Sequence, residues 1–522
     1  MTRSRVRRGL AAVAAGLLLT ACGSTVQISS TTQTDGGGLG LGTSTSGDLG
    51  GTTTGTGGGL GSSTTGGTSG LGGSSSGSTS GGSTSAGSSG SSGDGGSTTS
   101  AGTTTGVVSG SHTPIKVGVL AVDYSGIASQ FGVSFPTNYF DVYRNLFSYI
   151  NKHGGIAGHP ISAVFHTANG AAANRVAEDQ TSCAFFTEDN HVQVVLSEII
   201  YEADFASCLK KKGVAQIDDG QYGLTRAAMA RLGNVISPQG LTLDRTAAIE
   251  FAGMTARGVL TKKSVVGVIL GGCADEVAAY NSSVVPLAKQ YGFKVVANQL
   301  SCYGGAAGLG EATSQIQAAV LKFRSSGVDQ VFAFTASEGY VLTVFMTQAS
   351  SQSYHPGYLL TSNGYAYANT ATEGTASYPD DARPYLKGMG WQPYYDANGK
   401  PAATGAQLAA QKTCARMDPT YGGAKTASPP SDINEMQLFF STCDDIVLLK
   451  QVLEGNGVNL SIGALRAGFT KATAGFAGAG PYRGRMSITG SRSDGAVLAA
   501  PFSWKAGCSC VTLDGPPMTI PD

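Results

Sequence analysis

The chain carries no net charge, with 34 Lys and Arg against 34 Asp and Glu over 522 residues. That balance removes the electrostatic pull toward nucleic acid or an anionic lipid surface. Hydrolase signatures are missing too. Outside a low-complexity segment there is no Gly-x-Ser-x-Gly elbow and no His-Glu-x-x-His zinc motif. His112, His153, His159, His166, His191 and His355 are scattered, and none stands in a recognisable triad setting. No catalytic residue, and so no enzyme, is expected. No Cys-x-x-Cys or nearby His pair accompanies the cysteines, which argues against a metal site, and no cofactor is expected. Beyond Leu19 no apolar run approaches the about 20 residues that a bilayer span requires.

What is present begins at the amino terminus. Arg3, Arg5, Arg7 and Arg8 precede an apolar run from Gly9 to Leu19, and Thr20 and Ala21 lead to Cys22. Basic, apolar, then small is the layout of a secretory signal. Leu19-Thr20-Ala21-Cys22 resembles the lipobox of bacterial lipoproteins, in which the thiol is acylated and the signal removed. That resemblance implies a signal peptide over residues 1–21 and a membrane anchor at Cys22; an ordinary cleavable signal with an incidental cysteine is the alternative. Residues 22–113 are almost wholly Gly, Ser and Thr, with Asp35, Asp48 and Asp94 as the charges. Such a segment buries too little apolar area to offset its ordering entropy and is expected to be a disordered tether. A Gly/Ser-rich coil of that length would reach about 50 Å. Its Gly-x-Gly patterns lack a flanking strand and helix, so they are composition and not a phosphate-binding loop.

Nine cysteines less Cys22 leave eight, an even number in an exported protein. Pairing of neighbours along the chain gives Cys183–Cys208, Cys273–Cys302, Cys414–Cys443 and Cys508–Cys510. The last pair could instead be a reactive dithiol, but it lacks a strand–helix redox setting.

From Pro114 onward, strand-like and helix-like runs alternate. Ile115–Val122 is β-branched and apolar, and Asn138–Asn151 repeats Phe140, Tyr143, Phe147 and Ile150 at helical spacing. Strands follow at Ile161–Phe165, Val192–Leu196 and Val214–Ile217, with helices at Asn174–Phe186, Ala206–Lys212 and Thr225–Arg231. Near residues 235–240 the pattern restarts. Strands are predicted at Ser264–Leu270, Phe293–Leu300, Val328–Phe334 and Tyr358–Thr361, and helices at Asp244–Val259, Ala274–Tyr291, Thr313–Ser325, Tyr340–Ala349 and Asp432–Leu453. This alternation predicts an α/β protein of two doubly wound parallel-sheet lobes, with ligand loops at the strand carboxyl ends.

Ile150-Asn151-Lys152-His153-Gly154-Gly155-Ile156-Ala157-Gly158 resembles the IN-x-x-GGI-x-G segment of leucine/isoleucine/valine-type periplasmic binding proteins. Lys116-Val117-Gly118-Val119-Leu120, the loop ending at Phe131-Gly132 and the segment Gly327–Phe334 also fit that pattern. The resemblance implies a type I periplasmic binding protein fold, two lobes joined by a three-crossover hinge. On that template the N-terminal lobe takes 114–240 and about 384–475, and the C-terminal lobe takes 241–382 and about 476–522. The Pro-, Gly- and Tyr-rich stretch 371–430 is then an insertion over the cleft or on the surface.

Loops after the strands supply the candidate ligand residues: Tyr124, Ser125, Phe131, Ser197, Glu198, Tyr201, Asp219 and Gln221 in the first lobe. The second lobe offers Asp275, Ser337, Glu338, Asn363 and Tyr365. Hydroxyls and helix-start N–H groups suit a carboxylate, acids suit an ammonium, and tyrosines suit apolar parts. Ser197, Ser337 and Asp219 could equally serve as helix caps. Where amino-acid-binding relatives place an acid after the late second-lobe strand, this chain reads Thr361-Ser362-Asn363-Gly364. The ligand could therefore be an amide, a polyol or an aromatic acid, unless Asp275, Glu338 or Glu198 replaces that acid. The expected function is a monomeric, lipid-anchored solute-binding protein on the outer side of the cytoplasmic membrane. It would capture a small polar ligand, an amino acid, amide or related compound, for the membrane permease of an ABC transporter. A ligand-sensing or partner-binding lipoprotein on the same fold is the alternative.

Overall fold

A computed structural model describes residues 112–123, 139–197, 203–218, 224–302, 308–366, 378–397, 403, 405–418 and 433–522. The signal, Cys22 and nearly all of the tether lie outside these residues.

Five strands, β1 (Ile115–Asp123), β2 (Ile161–Asn169), β3 (Val194–Ser197), β4 (Ala215–Asp218) and β5 (Val235–Ile236), form a first sheet. Its order is β2-β1-β3-β4-β5 and every pairing is parallel. A second sheet is built from β6 (Val265–Leu270), β7 (Lys294–Gln299), β8 (Gln330–Phe334), β9 (Gly357–Thr361) and β10 (Leu386–Gly390). Counted from β6, these strands repeat the 2-1-3-4-5 order of the first sheet, again all parallel. Beyond β10 the sheet turns antiparallel, with β11 (Leu498–Lys505) beside it and β12 (Cys510–Leu513) and β13 (Met518–Thr519) on β11. Parallel strands need helices over both faces, and the long runs of buried Val, Ile and Leu reflect that.

The helices around the first sheet are α1 (Tyr139–Lys152), α2 (Arg175–Ala184), α3 (Ala203–Lys211) and α4 (Arg226–Leu232). Those around the second are α5 (Leu243–Ala256), α6 (Ala274–Ala279), α7 (Val285–Tyr291), α8 (Leu309–Ser325) and α9 (Glu338–Ser351). The segment expected as one helix over 274–291 is α6 and α7 joined by a π-helical turn, Tyr280–Val284, with Pro286 in the first turn of α7. There the wider π-helical turn, closed by Val285 N–H on Tyr280 O, lets the helix continue past a residue that has no N–H of its own. After β10 come α10 (Pro393–Asp396), α11 (Gly405–Met417), α12 (Ile433–Gly455) and α13 (Ile462–Thr473).

The glycine motif after α1 is a turn whose backbone requires it. Gly154, Gly155 and Gly158 all have positive φ, and a Cβ on Gly155 would lie 2.2 Å from the His159 carbonyl oxygen. Asn151 completes the turn: its Oδ1 accepts from Ile161 N at 2.7 Å and its Nδ2 donates to Ile161 O at 2.9 Å. The side chain thus acts as one more rung beside β2.

Two expectations are corrected by the tracing. Strand β10 belongs to the second sheet, so the chain leaves that lobe after Gly390, later than 384. Stretch 371–430 is no surface insertion where it is described: it supplies β10, and in α11 it supplies Cys414 and Met417 of the first lobe's core. That core also takes Phe440, Leu449, Leu465 and Phe469 from α12 and α13, and runs on to Met486 and Ile488, past the expected 475. The chain re-enters the second sheet at Leu498.

All four disulfides join the expected neighbours, Cys183–Cys208, Cys273–Cys302, Cys414–Cys443 and Cys508–Cys510. The first ties α2 to α3 and the third ties α11 to α12, which keeps the late helices on the first lobe.

Three chain passages connect the lobes, and buried side chains hold them. In the first and third passages Gly495 N donates to Ser237 O at 2.8 Å, and Ala496 N donates to Gly240 O at 3.0 Å. Asp494 in the third accepts from Thr242 N at 2.9 Å and from Arg245 Nη1 at 3.0 Å, with both charged side chains almost fully buried. Arg245 Nη2 donates to Ala496 O and its Nε to Pro521 O, each at 3.0 Å. Removing one partner of a buried ion pair strands the other charge and costs about 3–5 kcal/mol. Asp494→Asn is nearly isosteric and should lower stability by about that amount in urea unfolding. A loss below about 1 kcal/mol would show that the pair does not hold the passages.

Candidate functional site

In an open parallel sheet the carboxyl ends of the strands, at the point where strand order reverses, form the crevice for ligands. Here those points lie between β1 and β3 and between β6 and β8. Tyr124, Ser125, Phe131, Glu198, Tyr201, Asp219 and Gln221 follow β1, β3 and β4 along the chain and lie outside the described residues. Ser197 closes β3, fully buried, and its Oγ accepts from Gln216 Nε2 at 2.9 Å. Asp218 closes β4 and accepts from Ser237 Oγ at 3.0 Å, which ties this strand end to the first passage.

The second switch point is described more fully. Glu276, in the first turn of α6, reaches back: one oxygen accepts from Cys273 N at 3.2 Å and the other from Ala336 N at 3.1 Å. One carboxylate thereby joins the loop after β6 to the loop after β8. Gly271 makes room for it, since a Cβ there would come within 2.1 Å of a Glu276 oxygen. Burial raises the Glu276 carboxyl above the usual range, against the bonds from Ala336, Thr335 and Cys273.

Glu338, the first residue of α9, is buried, and its carboxylate takes both Thr361 N, at 2.7 Å, and the Thr361 hydroxyl. Burial pushes its pKa up to about 7, against those two bonds. Asp275 pairs with Arg231 of α4, a partly exposed ion pair between the two lobes. Both candidate acids of the second lobe thus have partners within the chain, Glu338 in the interior and Asp275 at the surface. Ser337 precedes α9, its N–H donating to Thr335 Oγ1 at 3.4 Å and its side chain making no capping bond. Tyr365 ends the short 3₁₀ turn Ser362–Gly364 in a left-handed conformation.

Asn363 is the exception. It is 3% exposed, its backbone N–H donates to Thr361 Oγ1 at 3.3 Å, and neither side-chain amide atom has a hydrogen-bond partner among the described residues. A buried amide without partners costs on the order of 1–3 kcal/mol. The same loop supplies Ser362, whose Oγ accepts from Trp391 N at 2.7 Å and from Gln392 N at 3.1 Å in the second passage.

Residues that the sequence reading missed hold the first and second passages and the first-lobe chain that leads to the third. Asp444 of α12 accepts from Ala479 N at 2.7 Å and Gly480 N at 2.9 Å, and burial raises its pKa to about 7. Gln239 donates to Ser441 O at 3.1 Å, and Asp396 accepts from Gln392 N at 3.0 Å. A mid-helix Asp-Asp pair at 444–445 within an apolar run was the available signal. Among the described residues no group of three or more His, Cys, Asp or Glu is placed to hold a metal ion, and no helix is long and apolar enough to cross a membrane.

Comparison with solved structures decides the architecture. A solute-binding protein of an ABC transporter from R. palustris, in complex with 4-hydroxybenzoate, superposes over 79% of this chain and 98% of its own, with TM-score 0.56 and 13% identity. The fold is that of a type I periplasmic binding protein. A second such protein, from Rhodopseudomonas palustris HaA2 with p-hydroxybenzoic acid, covers 79% of this chain and 98% of its own at TM-score 0.55 and 12% identity. A substrate-binding protein from Desulfitobacterium hafniense in complex with Leu matches 76% of this chain and 98% of its own, at TM-score 0.50 and 14% identity. No protein-family model matches the chain, and no curated protein matches it by sequence. At these identities the likeness is one of fold. In this periplasmic-binding fold the two switch points lie at the strand ends described above.

Glu338 yields a pH prediction. Its folded pKa of about 7 lies above the ordinary glutamate value of 4.5, so folding holds a proton that the unfolded chain releases. The stabilising share is complete below about pH 4.5 and is lost as pH rises through about 7, a change of roughly 3 kcal/mol. Glu338→Gln can still accept from Thr361 N and donate to the Thr361 hydroxyl oxygen, and it should remove that share of the slope in urea unfolding between pH 5 and 8. An unchanged slope would contradict the assignment.

Proposed function

We propose that this protein is an extracytoplasmic solute-binding protein of an ABC transporter, anchored by lipid at Cys22. It captures a small molecule between its two lobes and presents it to a membrane permease. The observation that carries this reading is the pair of 2-1-3-4-5 sheets joined by three buried passages, an arrangement spanning 98% of two ABC-transporter solute-binding proteins. Cys22 and the Gly/Ser/Thr stretch behind it fit a tethered receptor, with no catalysis required of either lobe.

Ligand chemistry is narrowed by which side chains are occupied. Glu338 and Asp275 are engaged by Thr361 and Arg231, which weakens the case for an ammonium anchored in the second lobe. Asn363 offers one donor group and one acceptor from a buried position, suited to an amide, a hydroxyl or a carboxyl edge. An amide, a polyol or an aromatic acid fits this wall, and Ser337 and Ser197 are further proposed contacts. Glu198, Asp219, Gln221, Tyr124, Ser125, Phe131, Tyr201 and Tyr365 remain proposed contacts.

Native mass spectrometry of gently purified protein should show a bound small molecule. A thermal-shift panel of amino acids, amides, polyols and aromatic acids should then identify a class that stabilises by RT ln(1 + [L]/Kd). Asn363→Ala should weaken that ligand by at least about tenfold, the value of one or two polar contacts, with little loss of thermal stability. Unchanged affinity would remove Asn363 from the site, and no stabilising compound in any class would count against capture.

A further inference from the structure

A shallow recess open to solvent lies where α4, α13 and the third passage meet, lined by Arg226, Arg466, Arg492, Ser491, Ser493 and Thr242, with Asp494 at its wall. Three guanidinium groups border one small concavity in a protein with no net charge overall. Their charges are weakly compensated. Arg466 donates to two carbonyls, Gly233 O at 3.0 Å and Gly490 O at 3.5 Å, and no carboxylate pairs with it among the described residues. Arg492 donates to Asp494 O at 3.0 Å and stands 3.6 Å from a carboxylate oxygen of Asp522, whose side chain is 91% exposed. Arg226 is exposed; its backbone N–H, not its guanidinium, donates to Asp244 Oδ2, at 2.7 Å. The wall carboxylate does not cancel them, because Asp494 is balanced by the buried Arg245.

Each guanidinium carries five N–H donors in a planar fork, and these three keep most of theirs available. Forked donors with serine hydroxyls beside them match a tetrahedral oxyanion, which accepts several bonds at once. We propose that this recess is a binding site for a phosphate-type oxyanion, either free phosphate or the headgroup of an anionic phospholipid. The proposal does not depend on the ligand-capture reading. Because the lining joins α4 and α13 of the first lobe to the first and third passages, an anion here would also brace the hinge.

The test uses full-length protein, with potassium phosphate titrated against potassium chloride at matched ionic strength and followed by calorimetry and thermal unfolding. A saturable heat and a rise in Tm specific to phosphate are expected, weakened at least tenfold in Arg226→Gln. Arg226 makes no described side-chain bond, so this variant should fold; Arg466→Gln is the companion. A second arm measures co-sedimentation with phosphatidylglycerol vesicles against phosphatidylcholine vesicles, using protein that lacks the acyl anchor. Sedimentation with phosphatidylglycerol that is lost in Arg226→Gln supports the headgroup as source, and phosphate binding without sedimentation supports the free anion. Absence of binding in both arms, or binding unchanged in both variants, overturns the proposal.

Discussion

Asp494 and Arg245, with 2% and 1% of their side chains exposed, fix the geometry on which both lobes depend. Through them the third passage is bound to the first helix of the second lobe, and Arg245 carries the connection on to Ala496 and Pro521. A charge pair so deeply buried gains little over an apolar pair of similar size, but it tolerates only one arrangement. Around it, Asp444 holds Ala479 and Gly480, Asp396 holds Gln392, and Ser362 holds Trp391. Every passage between the lobes is therefore pinned by hydrogen bonds out of reach of water. The lobes are free to move only where the chain is not so held.

The same economy of charge shapes the strand ends. Glu276, Glu338 and Glu250 are all raised above the usual carboxylate range, each chiefly by burial. They work as hydrogen-bond acceptors for backbone N–H groups: Glu276 for Ala336, Glu338 for Thr361 and Glu250 for Met389. Acids near a crevice invite assignment as ligand anchors, yet these are internal struts. The proposed ligand chemistry rests instead on the amide of Asn363, whose side-chain atoms have no partner among the described residues.

Much of the fold could be read from residue order, because parallel strands buried on both faces stand out as short β-branched runs. Ile115–Asp123, Val265–Leu270 and Gln330–Phe334 all fall where those runs predict. Asn174 and Thr225 cap α2 and α4, where the sequence begins each helix. Strand β10 escaped notice because Leu386–Gly390 contains two glycines and one lysine, a poor β signal that sheet pairing overrides. Helix α11 was obscured by the Pro- and Gly-rich residues on either side. Among the candidate site residues, sequence could not distinguish a free acid from an engaged one. Thr361 and Arg231 lie far from Glu338 and Asp275 along the chain, so only the folded protein brings them together.

The central claim is that one ligand is gripped by both lobes while the passages between them stay fixed. Hydrogen–deuterium exchange with and without a saturating ligand tests it most directly. The account predicts added protection at the strand ends of both lobes, after β3 and β4 and after β8 and β9. Trp391, Gln392, Gly495 and Ala496 should be strongly protected with or without ligand. Protection gained in one lobe only, or passage amides that exchange as quickly as exposed loops, would contradict it.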